Sequence, residues 1–510
     1  MTNRIQQLQI LGVEPYPVIF DQRGTLLIDG PTFSSRFETL VTEEEDSGRS
    51  HEVSVAGRIY AVRHHGNNLI FLDLHGRSDS SQRIQVKIHR STWQDPNTSF
   101  DFLTLELREG DIYGFVGYPC RSRRGELSLA AQYGQLLCPH LRDIPRQLDN
   151  GETRFRMRSL DLIVHESSRN ILIQRSRIIR EIRRFCEDQL NLIEVETPIL
   201  QVQANGAAAR PFRTSSNSLR LDLFLRIAPE LYLKMLIIGG LPGVFEIGRQ
   251  FRNEDIDHTH NPEFTSIELY WPYHDYFDLM NMTEILLALL IRCSSLWING
   301  TNQIQCSDGP ILDFLAPFRR ISIMDELRAQ YAILQPSAND FPRDDQLDTT
   351  VAHSFFNRWC SRENIECQEP RTTVRLLDRL IGRYVESQCT NPTFLIDHPQ
   401  IMSPLARPHR SRPGLTERFE LFIRGVEYAN AYTELNDPQI QRQQFQIQQR
   451  VNGSDDETPL PDDHYCQMME YGLPPTAGLG IGIDRLVMLL TGQTSIREVL
   501  SFPTLRPLDH

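Results

Sequence analysis

Phe251-Arg252-Asn253-Glu254, His260-Asn261-Pro262-Glu263-Phe264 and Glu268-Leu269-Tyr270 lie within one short stretch of this chain. The stretch combines a guanidinium, an imidazole, an aromatic ring and a Glu-x-Tyr pair. Alone, an arginine before Asn-Glu reads as a surface ion pair. With the imidazole and ring that follow, it reads as a nucleotide grip. A guanidinium fork holds phosphate or carboxylate bidentately and never loses its charge. His260 can donate to an outer phosphate, and Phe264 can stack a purine. Glu268 and Tyr270, at i and i+2, face one side of a strand. Two polar groups turned inward on a buried strand are costly unless something pairs with them, and a cationic ligand would.

A second cluster follows much later. Glu420-Leu421-Phe422-Ile423-Arg424-Gly425-Val426-Glu427 and Tyr428-Ala429-Asn430-Ala431-Tyr432-Thr433-Glu434 read as a hairpin. Asn430, Tyr432 and Glu434 alternate and so share a face. Glu420 and Glu427 flank the turn and could meet across it. Close carboxylates repel unless a hard cation sits between them, and magnesium does this with one or two carboxylates plus substrate phosphates. The plainer reading of the pair is solvated charge. Gly478, Gly480 and Gly482 alternate before Ile483-Asp484-Arg485. Glycines at alternate strand positions leave room for a flat ligand, and Arg485 could cap a purine by cation–π stacking. There is no P-loop, and no G-x-G-x-x-G follows a parallel strand, so the nucleotide site is of another kind.

Outward from these clusters, residues 1–50 carry no strong periodicity and include the acidic run Glu43-Glu44-Glu45-Asp46. From His51 five strand-like runs follow within about 90 residues, ending at Leu127-Ser128-Leu129. They suit a small barrel; order and length favour an OB-fold over an SH3-like barrel of the same pattern. Residues 141–165 read as a linker. The pattern predicts a long amphipathic helix from Ile171 to Leu190, running into a strand that Pro198 ends. Gln439 to Arg450 reads as a solvated helix and Asn452 to Asp463 as an acidic loop. Strands and helices interleave without βαβ periodicity. That predicts an α+β fold over residues 166–510, built on an antiparallel sheet.

Bulk numbers fit such a protein. The 510 residues are 40% hydrophobic and 23% charged, enough for two or more domains. No apolar run approaches the roughly 18 residues of a membrane span. Met1 to Val13 lacks a signal core, and the expected location is the cytoplasm. Nine cysteines include no C-x-x-C pair, so they read as small buried hydrophobes. The net charge of −13 argues against a general polyanion binder but not against one specific RNA. Only two of the 53 basic residues are lysines, Lys87 and Lys234.

The two clusters together resemble class II aminoacyl-tRNA synthetases. Pro198 after its helix resembles motif 1, the dimer interface. Phe251 to Glu268 resembles motif 2, and Gly478 to Arg485 resembles motif 3. Arg226-Ile227-Ala228-Pro229-Glu230-Leu231-Tyr232-Leu233-Lys234, Asn430 to Pro438 and Tyr471 to Gly478 are similar to runs of the lysyl branch (subclass IIb). Thr259 and Ala431 resemble its eukaryotic members. The resemblance spans roughly Gly12 to Pro507.

The resemblance implies a lysine site in which Glu434 and Tyr270 bind the ε-ammonium. Glu230, Glu268 and the Gly206 backbone hold the α-ammonium, and Asn430 and Arg252 orient the carboxylate, with Tyr432 beside them. It implies an ATP site of Arg252, His260, Phe264, Glu420 and Arg485, with Mg2+ on Glu420 and Glu427. Arg252 and Arg485 are the expected catalytic residues. In residues 51–140, Phe71, Gln85 and Glu126 match anticodon-reading positions, as stacking and edge recognition of single-stranded RNA require. The expected partners are tRNA(Lys), L-lysine, ATP and a second copy of the chain. Asn205 and Asp255 replace glycines of the family pattern, and the lysine-rich N-terminal extension of many eukaryotic relatives is missing.

Two other readings stand beside this one. An aspartyl or asparaginyl enzyme would need a basic residue where Glu434 stands. A catalytically silent paralogue serving as an RNA-binding or signalling module would not need Arg252, Glu420, Glu427 and Arg485 intact. The lysine-poor composition reads either as a general bias of the source or as economy in an enzyme that supplies charged lysine. The second reading fails if unrelated proteins of the same source are equally poor in lysine.

Overall fold

The computed structural model describes residues 2–39, 51–76, 83–122, 124–203, 206–207, 209–306, 309–452 and 462–507. The run Glu43 to Asp46, Asn205 and residues 453–461 of the acidic loop lie outside the described residues. The chain divides into two compact units, Met1–Ile173 and Gln174–His510.

The first unit is a five-stranded barrel. Its strands are Val53–His65 (β1), Leu69–His75 (β2), Ile84–His89 (β3), Ile112–Arg121 (β4) and Leu127–Cys138 (β5). They pair in the order β1-β2-β3-β5-β4, and β4 returns to pair with β1. Among these five only β3 and β5 pair in parallel, with Gln85 opposite Ser128; Leu26–Leu27 adds a short parallel pairing beside Val53–Ser54. Ile70, Leu72, Leu74, Val86, Ile88 and Phe115 fill the interior. Phe71 alternates with these and faces outward, so it is not barrel core. Where β4 crosses β5, a Cβ on Gly117 would lie 2.1 Å from the Ala130 carbonyl oxygen, which leaves glycine as the fitting residue. This closed barrel, with helix Phe100–Glu106 between β3 and β4, is the OB-fold.

Residues without visible periodicity are nevertheless ordered by tertiary contact. Helices Thr2–Ile10 and Gly30–Phe37 send Leu8, Phe33 and Phe37 into the barrel core. The stretch read as a linker carries helices Gly151–Arg156 and Arg158–Val164. They gather around Asp161, which accepts from Arg158 at 2.6 Å and from Arg154 at 2.8 Å, with His165 at 2.7 Å.

The second unit begins within the amphipathic helix Glu166–Arg184 (α1), which ends in a π turn over Phe185–Gln189. Its sheet contains Ile193–Glu194 (β6), Val244–Phe251 (β7), Glu263–Pro272 (β8) and Arg319–Ser322 (β9). Thr393–Ile396 (β10), Arg418–Ile423 (β11), Val426–Thr433 (β12) and Thr476–Gly482 (β13) complete it. The order is β9-β10-β11-β12-β13-β8-β7-β6. The pairs β9–β10 and β6–β7 are parallel; every pair between them is antiparallel. Helix Pro438–Asn452, read as solvated, buries Gln441 and Phe445; Phe445 joins Leu231, Tyr465 and Met469.

A buried ion pair ties this sheet to the segment after β6. Arg226 donates to Glu246 Oε1 at 2.5 Å and to Thr197 Oγ1 at 3.1 Å. Glu246 pairs in register with Glu268, so Arg226 neutralises the carboxylate next to the site. Both partners are almost fully buried. Removing one partner of such a pair strands the other charge. Arg226→Ala is expected to cost about 3–5 kcal/mol of stability, read by denaturant unfolding. A loss below about 1 kcal/mol would contradict the assignment.

Candidate active site

The strand register assembles the site. Glu420, Asn430, Gly480 and Glu268 form one row across β11, β12, β13 and β8. Arg418, Tyr432, Gly478 and Tyr270 form a second row two residues along the strands. Side chains of both rows face the same way because strand periodicity is two. The missing side chains at Gly478 and Gly480 leave a trough between the polar residues of β12 and β8. Above it lies a cavity of about 510 Å³.

One end of the cavity is acidic and closed. Glu230 opens helix Glu230–Ile238 (α2), and Gly206, with φ +94°, packs against it. Tyr432 Oη donates to Glu230 Oε1 at 2.6 Å, and Tyr270 Oη donates to Glu268 Oε2 at 3.1 Å. Glu434 lies deeper, fully buried behind the cavity wall. Lys234 Nζ donates to Glu434 Oε2 at 2.9 Å and to Glu230 Oε1 at 2.8 Å. Glu434 Oε1 is buried with no partner. It lies over Gly478, where a Cβ would come within 2.0 Å of it and 2.8 Å of the Tyr270 ring.

Burial dominates the ionisation of this end. It pushes Glu268 up to about 8, with Glu230 adding repulsion. It raises Glu434 as well, against the opposing pull of Lys234. Burial alone would lower Lys234, but Glu230 and Glu434 reverse that and hold it well above its usual value. Tyr270 and Tyr432 are raised by burial and by Glu230, so both remain phenols.

The other end is basic and open. The Arg252 guanidinium stands 5.1 Å from the centre of the Phe264 ring, and its Nε is buried without a partner. His260 is set by Asp257: Nδ1 is 2.8 Å from Asp257 Oδ2, and Nε2 meets Arg485 at 2.8 Å. Burial would raise Asp257, but bonds from Thr259 and His260 bring it to about 2. Arg485 donates to the Glu427 carbonyl at 2.9 Å and stands 3.7 Å from its carboxylate. Asp484 anchors the start of helix Ile483–Thr491 (α3) by accepting from Thr265 N at 2.7 Å and Arg175 at 2.5 Å. Asp255 is exposed on the rim.

Glu420 and Glu427 do not face each other directly. A bulge between Leu421 and Phe422 puts Glu420 opposite Asn430 and Glu427 opposite Phe422. They still feel each other: burial and Glu420 raise Glu427. Burial also works against Glu420, but Arg418 at 2.6 Å and His398 at 3.2 Å bring it to about 2. Arg418 Nε also donates to the Asn430 carbonyl oxygen at 3.0 Å, fixing that amide. Among the described residues no group of three or more His, Cys, Asp or Glu is arranged to hold a metal ion.

Sequence reasoning named many of the residues that line the cavity and missed those that hold them. Arg418, Asp257, His398 and Arg175 are ordinary charges in ordinary contexts, with no signal to single them out. Lys234 carried one signal, its rarity. In the barrel, Gln85 Nε2 donates to Glu126 at 2.7 Å, and Ser128 Oγ donates to Gln85 Oε1 at 2.8 Å. Phe71 lies outside this network, edge-on to His65 at 5.5 Å and paired in register with Lys87.

This architecture is matched by two family models. Residues 150–506 match tRNA synthetases class II (D, K and N), and residues 53–137 match the OB-fold nucleic acid binding domain. Among curated relatives, the lysine--tRNA ligase cla4 of Cladosporium cladosporioides is 42% identical over 99% of this chain and 84% of its own. A probable cytoplasmic lysine--tRNA ligase of Enterocytozoon bieneusi is 41% identical over 99% and 95%. The lysine--tRNA ligase of Methanoculleus marisnigri is 41% identical over 99% and 94%. The chain belongs to the lysine–tRNA ligase family of class II synthetases.

The trough makes its own prediction. Gly478→Ala forces the Glu434 carboxylate or the Tyr270 ring to move, and overpacking of this kind costs about 1–3 kcal/mol. Gly482→Ala meets open space and should change stability by less than about 0.5 kcal/mol. Thermal melts of the two variants side by side check this, and equal losses would contradict it.

Proposed function

We propose that this chain activates L-lysine with ATP to lysyl-adenylate and transfers the lysyl group to the 3′ end of tRNA(Lys). The observation that carries the reading is the closed acidic end, where Glu434 Oε1 is buried without a partner beside Tyr270. Lys234 already bonds Glu434 Oε2 but is shared with Glu230, so this end is short of positive charge and Oε1 still lacks a donor. The lysine ε-ammonium supplies the cation there, shared by Glu434 and Tyr270. Glu230, Glu268 and the Gly206 backbone take the α-ammonium. Asn430, its carbonyl already held by Arg418, turns its amide hydrogens to the carboxylate with Arg252. Neutral side chains leave these carboxylates unpaired, which is the basis of selection.

Phe264 and Arg485 hold the adenine, Arg252 the α-phosphate, and His260 with Glu420 the rest of the ATP. The lysine carboxylate attacks the α-phosphorus in line and pyrophosphate leaves. No side-chain nucleophile takes part. Positioning and the Arg252 charge supply the rate. Glu420 and Glu427 fit Mg2+, since the mutual repulsion that raises Glu427 is what a divalent cation relieves. When bound it would neutralise phosphate charge. The terminal ribose hydroxyl of the tRNA then attacks the carbonyl carbon of the mixed anhydride, and AMP leaves as the acyl–phosphate bond breaks.

Phe71, Gln85 and Glu126 are assigned to the anticodon. Exposed Ile199, Leu200, Val202 and Leu219, on the segment after Pro198 and beyond, support a homodimer through the motif 1 region. The cytoplasm is the proposed location, in line with relatives named cytoplasmic lysine--tRNA ligases. Nothing in the site favours the silent-paralogue reading.

ATP–pyrophosphate exchange with each of the twenty amino acids, without tRNA, tests the reading. Exchange with lysine alone is expected. Exchange with none in folded protein would sink it, and Asp255→Gly would then be the variant to make. A second outcome follows from ionisation. Glu268 and Glu434 are partly protonated near pH 7 in the empty pocket, and cation binding needs them ionised. Lysine affinity should therefore rise as pH climbs from 6.5 to 8, with proton release on binding. Titration calorimetry in buffers of different ionisation heat measures this; proton uptake would contradict it.

A further inference from the structure

Lys234 does not line the open cavity, yet it is as fully enclosed as Glu434 at the acidic end. Its Nζ bonds Glu230 and Glu434 and lies 5.2 Å from the centre of the Tyr465 ring. It has no exposed surface. Its setting is that of a measured fit, with two carboxylates and a ring face around one ammonium.

We propose that Lys234 is a specificity-determining positioning residue, which binds the far oxygens of Glu230 and Glu434 and turns the remaining acidity of the pocket toward a substrate's primary ammoniums. The inference rests on the reading of this cavity as a lysine site. Three observations carry it.

The first is geometric. Glu434 offers one oxygen to Lys234, and its other oxygen is buried, unpartnered and over the Gly478 trough beside Tyr270. Fixing Oε2 fixes where Oε1 points. The second is charge. Once ionised to receive a cation, Glu230, Glu268 and Glu434 carry three negative charges against one on Lys234, so two remain for a ligand. L-lysine brings two ammoniums. Without Lys234 a third negative charge would be buried unpaired, and a proton would take the place of one ligand contact.

The third is composition. This chain uses arginine at 51 of its 53 basic positions and lysine at two. Of its two lysines, Lys234 is the one enclosed between carboxylates. Arginine cannot stand in. Its guanidinium is planar, wider and five-donor, while the Lys234 site is fully enclosed and presents two single oxygens to a point charge.

Lys234→Arg keeps the charge and alters only its shape; Lys234→Met keeps the stem and removes the charge. In variants that melt like the parent, KM for lysine in ATP–pyrophosphate exchange should rise at least about ten-fold, with KM for ATP within about two-fold. A purely structural lysine would lower kcat or shift both constants together. Either variant with parental stability and a lysine KM within about two-fold of the parent overturns the proposal. The parent protein provides a test that does not depend on variant folding. Grown on lysine labelled with carbon-13 at Cε, it carries two lysine signals, and Lys234→Met identifies one by its loss or Lys87→Arg the other. Saturating unlabelled L-lysine should shift the Lys234 signal and leave Lys87 in place. An unmoved Lys234 signal overturns the proposal. Lysine-dependent exchange by the parent enzyme tests the functional reading separately.

Discussion

Gathering three carboxylates at one end of a cavity, two of them buried, is the constraint on which the rest of this structure turns. Each would cost several kcal/mol if ionised and unpaired. The fold meets the cost partly from inside and leaves part of it for a ligand. Lys234 spans Glu230 and Glu434. Tyr432 and Tyr270 each donate one bond. Arg226 neutralises Glu246 next to Glu268. What is left over, above all Glu434 Oε1, is a deficit with the shape and sign of an ammonium. In the proposed reading, recognition rests on hydrogen bonds left unmade at a buried site, where electrostatics are least screened.

The antiparallel sheet makes this possible at low cost. Rows across β11, β12, β13 and β8 bring residues far apart in sequence onto one face at strand spacing. The central strand β13 contributes almost no side-chain bulk to that face. A substrate can lie on its backbone while the flanking strands supply polar walls. Asp484 and Arg175 pin β8 and the start of α3 together, which sets Arg485 against His260 at the open end. The acidic and basic ends thus belong to one rigid surface.

Alternation made much of this legible beforehand. Glu268 with Tyr270, and Asn430 with Tyr432, could be assigned to shared faces from spacing alone, because a strand repeats every two residues. The barrel strands followed from the same rule, and Phe71 faces out because Ile70 and Leu72 face in. Other features were not legible. The helices at Thr2–Ile10 and Gly151–Val164 are short, and their stability comes from groups distant in sequence or from one buried carboxylate. The helix Pro438–Asn452 looked solvated because buried glutamines read as surface ones. The bulge that leaves Tyr428 of β12 without a partner shifts Glu420 from opposite Ala429 to opposite Asn430, and no residue type announces a bulge.

The sequence by itself determined the chemical inventory: an acidic set, a basic set, alternate glycines and the strands to carry them. It did so because strand and helix periods are local and leave their mark on residue order. Tertiary structure alone decided the pairing. Lys234 meets Glu434 across 200 residues of chain, and Arg175 meets Asp484 across 309. Such contacts depend on which strands lie side by side, and a one-residue slip in register would undo them. The sequence names the charges; only the packed sheet says which of them are already satisfied and which still wait for a substrate.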